Sequence, residues 1–223
     1  TGSTTDVTSV DGDIAITGTG GNGSGGGNYG VNMQGDATVQ VTNAAMQITG
    51  TAGASTSDGF GVRLSQSSGG RLLSVGSGSI TVTATGNGAA ADFRAGSDSR
   101  IGFDGTTATT GNIEINANSI QWDGTTNVQS TGALLIQPRT ASTSIGLGAS
   151  ATGTLNLDAT ELGFLKDGFS SITIGDAAAG TGEVDINAST FNVPVTIVGG
   201  SIAVTQLNAG SNAVTLTARS TDI

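Results

Sequence analysis

Thr110-Gly-Asn-Ile-Glu-Ile-Asn-Ala-Asn-Ser-Ile120 aligns without gaps with Thr152-Gly-Thr-Leu-Asn-Leu-Asp-Ala-Thr-Glu-Leu162 and with Thr181-Gly-Glu-Val-Asp-Ile-Asn-Ala-Ser-Thr-Phe191. In each copy two apolar residues stand at i and i+2, and a polar residue, Glu114, Asn156 or Asp185, lies between them. That period of two is the signature of a half-buried strand. Asn116, Asp158 and Asn187 follow, each before an alanine. Asx residues tolerate left-handed backbone or bond their own backbone, and alanine fits the inside of a bend, so each copy reads as strand, corner, strand. Stacked on successive coils, these three Asx side chains are expected to form a corner ladder.

The leading strand recurs more loosely along the chain. Its first apolar residues are Ile14, Met46, Ile80, Ile113, Leu134, Leu155, Val184 and Ile202, at spacings of 32, 34, 33, 21, 21, 29 and 18. Two further short strands fit between most markers, as with Ser119-Ile-Gln-Trp122 and Asn127-Val-Gln129 after Ile113. Three strands per coil give a triangular section. The expected fold is therefore all-β: a right-handed parallel β-helix, or β-solenoid, of about eight triangular coils, forming one domain over residues 1–223. Rungs about 4.8 Å apart make a rod on the order of 40 Å long. The extra length of the early coils falls at residues 18–28, 50–59 and 85–92, and these loops are expected to stack on one side.

Composition agrees with a thin core drawn out along an axis. The 223 residues include 38 Gly, and only 35% are hydrophobic, too few for the thick core of a layered globular domain. The β-branched alternation and only two prolines, Pro138 and Pro194, speak against a disordered Gly/Ser tract. Cysteine is absent, which excludes disulfides and thiolate metal sites. The net charge of −10, with seven scattered basic residues, excludes the footprint of a nucleic-acid binder. No apolar run approaches a membrane span, and no secretory signal pattern opens the chain, so no membrane insertion is expected. The sequence starts at Thr1 without Met, as a processed product or a piece of something longer would.

The Thr-Gly-x-[Ile/Leu/Val]-x-[Ile/Leu/Val]-[Asn/Asp]-Ala repeats, with Thr143-Ser-Ile-Gly-Leu-Gly148 and Ser171-Ile-Thr-Ile-Gly175, resemble the repetitive regions of large bacterial surface exoproteins of the filamentous haemagglutinin and autotransporter-like adhesin type. The likeness covers most of the chain and is strongest over residues 110–205. It implies a secreted or surface-attached solenoid acting as a spacer, hence an extracellular or cell-surface location. The amino-terminal secretion domain of full-length members is not in this sequence.

Candidate chemistry is sparse. Polysaccharide-cleaving β-helices resemble these coils in architecture and need acids and bases on one exposed face. The nearest grouping is Asp92, Arg94, Asp98, Arg100 and Asp104, whose alternative is a solvated face with local pairing. The chain has no His, and no Ser or Thr carries a recognisable activating partner, so no enzyme is expected. The glycine tract at 20–28 lacks the aspartates of calcium-binding β-rolls. Asp11 with Asp13, and Asp158 with Glu161, would take calcium only adventitiously, and no cofactor is expected. Thr17/Thr19, Thr49/Thr51 and Thr81/Thr83 form a short array of the kind ice-binding solenoids use, but later coils carry Asn, Gln and Asp there.

Trp122 shares the parity of Ile120 and is expected inside. Tyr29 ends the Gly-rich loop and, with Asp92, Arg94 and Arg100, is the candidate for surface contact with a partner such as a host or matrix glycan. Alternation runs nearly to both termini, Asp6-Val-Thr-Ser-Val10 and Ala213-Val-Thr-Leu-Thr217, with no capping helix. Uncapped coils expose backbone and apolar side chains. The expected partners are adjoining repeats or copies of the chain itself, end to end.

Overall fold

The structure is a computed structural model that describes residues 5–64, 69–88 and 90–219. Thr1, and Ala89 within the third expected loop, lie outside the described residues. The chain winds as a parallel β-solenoid. Its first coil holds β1 (Asp6–Ser9), β2 (Ile14–Thr19) and β3 (Val31–Met33); the second β4 (Thr38–Val41), β5 (Met46–Thr51) and β6 (Val62–Leu64). The third holds β7 (Arg71–Ser74), β8 (Ile80–Thr85) and β9 (Phe93–Ala95); the fourth β10 (Arg100–Ile101), β11 (Ile113–Asn116) and β12 (Ile120–Trp122). The fifth has β13 (Asn127–Val128), β14 (Ala133–Gln137) and β15 (Ile145–Leu147), then an excursion of β16 (Leu155–Leu157) and helix α1 (Ala159–Leu162). β17 (Ser171–Ile174) and β18 (Val184–Ile186), then β19 (Ser189–Thr190), β20 (Val195–Gly199) and β21 (Ile202–Val204), complete the next two coils. The last described coil has β22 (Leu207–Asn208) and β23 (Val214–Ala218).

One sheet runs the whole length, β2-β5-β8-β11-β14-β17-β20-β23, all parallel and in register. Its inward column is Ile14, Met46, Ile80, Ile113, Leu134, Ile172, Val195 and Val214. Most of these side chains are fully buried, each contributing about 1.5–3 kcal/mol relative to exposure. The first five are the expected markers. The last three are not: Leu155, Val184 and Ile202 lie in the neighbouring sheet β16-β15-β18-β21. The motif encodes a strand with a corner after it and leaves open which side of the triangle that strand occupies. The side is set by the strands already laid down, and the fifth coil lays down an extra one.

For the same reason the three Asx residues do not stack. Asn116 lies outward on β11, where its Nδ2 donates to Glu114 Oε1 at 2.8 Å and its Oδ1 accepts from Gln137 Nε2 at 2.7 Å. Asp158 caps the N-terminus of α1. Asn187 closes β18, its amide donating to the Leu147 carbonyl at 2.9 Å. The left-handed residue at that corner is Ala188, with φ 49°.

The extra strand is made possible by two glycines. β15 and β16 are parallel neighbours joined by residues 148–154, which fold back across the outer surface of β15. A Cβ on Gly153 would lie 2.2 Å from the Gly146 amide nitrogen, so the return passes backbone against backbone. β16 thereby packs beside β12.

The early loops leave from one sheet and rejoin at another through similarly narrow necks. A Cβ on Gly18 would stand 2.0 Å from the Gly30 carbonyl oxygen, and one on Gly50 2.1 Å from that of Gly61. Between the necks the loops stack as expected: Ser55 Oγ donates to Gly25 O at 3.1 Å, Gly53 N to Asn28 O at 2.9 Å, Asn87 Nδ2 to Ser55 O at 3.0 Å, and Asn28 Nδ2 to Ala54 O. Gly50→Ala is predicted to lower stability by about 1–3 kcal/mol, because the neck cannot yield without displacing both strands. Gly25→Ala, at a loop tip where an added Cβ meets nothing within 4 Å, is predicted to leave it unchanged. Urea unfolding midpoints of the two variants check the contrast.

Candidate functional site

The residues singled out for surface contact occupy three settings. Register places Gly30, Gly61 and Asp92 one before the paired residues Val31, Val62 and Phe93. Asp92 thus stands where the two preceding coils have their neck glycines. Its side chain does the closing: Oδ1 accepts from Gly86 N at 2.7 Å and Oδ2 from Asn118 N at 2.8 Å. Asp92 is buried, and its side chain is spent on backbone.

Tyr29 and Arg94 belong to one stripe on the outside of the sheet β12-β9-β6-β3. The rings of Tyr29 and Phe60 stack at 6.0 Å with planes 24° apart. The Arg63 guanidinium lies 5.0 Å from the Tyr29 ring centroid and that of Arg94 5.3 Å from the Phe60 centroid. Arg63 and Arg94 are register partners on β6 and β9, so each cation covers an aromatic ring from the loop neck beneath it. Arg94 Nη2 also pairs with Asp123 Oδ2 at 2.6 Å. These contacts pin the loop stack to the sheet and leave the Tyr29 ring with Phe60 and Arg63 as neighbours.

Arg100 is elsewhere, on the sheet β1-β4-β7-β10-β13, where its Nη1 donates to Asp104 O at 2.9 Å. Asp98 bonds Thr125 in a turn, and Asp104 Oδ1 accepts from Thr106 N and Thr107 N, both at 2.7 Å. The five charges close in sequence therefore do not line one groove. Trp122 is buried in the core, in keeping with its parity.

The acidic pairs are also engaged. Asp11 Oδ1 accepts from Asn43 Nδ2 at 3.1 Å and Asp13 Oδ1 from Ala45 N at 2.9 Å. Asp158 and Glu161 form a reciprocal capping box on α1. Among the described residues, no group of three or more His, Cys, Asp or Glu side chains could hold a metal ion. No helix there is long and apolar enough to cross a membrane.

Two features escaped the sequence. A cavity of about 390 Å³ lies between α1 and the 188–193 turn, with Leu165, Ile172, Phe191 and Val193 among its walls and Lys166 and Asn192 at its rim. It arises where a helical turn replaces a strand and leaves one edge of β19 without a neighbour. The second is Glu161. Besides completing the capping box, its Oε1 accepts the Trp122 amide at 2.9 Å, supplying a partner to β12 where that sheet ends. The S/T/D-x-x-E pattern of Asp158 to Glu161 was a visible signal for the cap, though not for the reach to Trp122.

No family model, curated protein or solved structure matches the chain.

Burial raises the Glu161 pKa above its ordinary value, against the lowering effect of the Trp122 and Asp158 amides. A carboxyl whose pKa is raised on folding holds its proton more tightly in the folded chain. Its contribution to stability is greatest below the ordinary carboxylate pKa and is lost as pH rises through the folded value. Glutamine does not titrate. Glu161→Gln is therefore predicted to gain stability relative to the native chain between about pH 4 and about pH 7. Denaturant midpoints at both pH values test this, and a pH-independent difference would contradict it.

Proposed function

We propose that this chain is a passive structural element: a rigid β-solenoid shaft of an extracellular or cell-surface fibre, serving attachment or matrix building rather than catalysis. The observation that carries this reading is the eight-strand ladder, in register from β2 to β23 and lined on its inner face by stacked apolar columns. A body held together rung by rung transmits force along its axis. Its charged residues support the same reading, because Asp92, Arg94 and Glu161 are committed to necks, staples and caps. The resemblance of the Thr-Gly repeats to bacterial surface exoproteins supports the location, and the acidic surface suits solubility of a long body.

A shaft reading makes a plain forecast for solution behaviour. Small-angle scattering is expected to give a rod with a length on the order of 40 Å per chain. A glycan panel and a reducing-end assay on polysaccharides are expected to show neither binding nor cleavage. Saturable binding to one glycan would instead assign the chain to the carbohydrate-recognition class, with the loop stack and its Tyr29–Arg63 stripe as the first place to mutate.

A further inference from the structure

The two ends of the described solenoid are complementary along two of their three walls. At one end, β1 and β2 are edge strands, with Val7 and Val10 43% and 62% exposed. At the other, β22 and β23 are edge strands, with Val214 and Leu216 43% and 42% exposed. Register with the neighbouring rung fixes which residues point inward: Val7 and Ser9 on β1, Ile14, Ile16 and Gly18 on β2. On the opposite end they are Leu207 on β22 and Val214, Leu216 and Ala218 on β23.

The step from Leu207 to Val214 is seven residues, as is the step from Val7 to Ile14. Both pairs of edges therefore come into register together. Val7 then meets Leu207, Ile14 meets Val214, Ile16 meets Leu216, and Gly18 meets Ala218. Outward neighbours agree as well, Thr17 with Thr217 and Thr8 with Asn208. The acids of the first coil fall opposite neutral residues: Asp6 opposite Gln206, Asp11 opposite Ser211, and Asp13 opposite Ala213. Like charges in opposed positions would have spoken against the junction.

From this we infer that the partner of each end is a second copy of the chain, stacked head to tail with β1 on β22 and β2 on β23. The inference rests on the shaft reading and adds the partner and the register. The contact is heterologous, using different surfaces of the two copies, so it propagates into a fibre rather than closing into a dimer. Parallel pairing across it continues the long sheet by strand addition.

The chain has no cysteine, so paired cysteines report the junction cleanly. Ala15 and Thr215 are in-register outward neighbours in the proposed contact, at a spacing a disulfide can bridge. Ala15→Cys/Thr215→Cys is expected to give a ladder of disulfide-linked oligomers under mild oxidation. Thr17→Cys/Thr215→Cys, shifted by two residues beyond bridging distance, is expected to give none. Leu216→Lys puts a charge into the junction at a residue already 42% exposed in the single chain, so the rod survives while assembly is lost. Monomeric rods at high concentration, unlinked in both cysteine variants, would overturn the junction and leave the shaft standing. Saturable binding to one glycan, or release of reducing ends from a polysaccharide, would overturn the shaft reading itself.

Discussion

A single coil of this chain cannot bury itself; it is stable only because the coil above and the coil below present the same apolar residue at the same place. That in-register stacking of inward side chains, locked by parallel backbone pairing, is the constraint from which the rest follows. It makes the core a stack of thin layers, about two inward side chains from each strand of the long sheet, which is how a chain only 35% hydrophobic still has Ile48, Ile80, Ile113, Ile115 and Ile136 wholly out of solvent. It also explains why excess chain leaves the wall altogether. A residue inserted within a strand would turn every following side chain to the wrong face.

The extra residues obey this rule by different devices. Gly18 with Gly30, and Gly50 with Gly61, let a loop depart and return at nearly one point. Asp92 does the same with a carboxylate in place of missing volume. In the fifth coil a glycine pair, Gly146 and Gly153, lets an entire strand be doubled, and the ladder accommodates it by ending one sheet at β12 and beginning another at β16. Glu161 spans that discontinuity with a single hydrogen bond to the Trp122 amide.

Much of this was legible in the residues. Period-two alternation located the strands, the first five rungs of the long sheet were found from Ile14 to Leu134, and the three loops stack as their position required. Legibility failed where the information is cumulative rather than local. Thr152-Gly and Thr181-Gly look like Thr110-Gly because all three begin the same kind of strand, yet they stand on a different side of the triangle, and no window of eleven residues contains that fact. Asp92 misled in a similar way. An acid near two arginines reads as surface chemistry, and only the register with Gly30 and Gly61 reveals a neck closure. Arg94 and Arg100, six residues apart, are separated by a corner that turns them onto different sheets.

The narrow necks have a consequence for how such a protein can change. Because the first two loops meet the wall only at their necks, through the glycine contacts and the Tyr29–Arg63 and Phe60–Arg94 pairs, their tips are set apart from the rungs beneath them. The tips at residues 22–26 and 54–58 can be lengthened, shortened or rewritten without asking the ladder to shift by an atom, provided that Gly18, Gly30, Gly50 and Gly61 stay. Stacked side by side, such loops form an outer surface carried on an indifferent scaffold, so what the solenoid presents and what holds it up are open to separate selection.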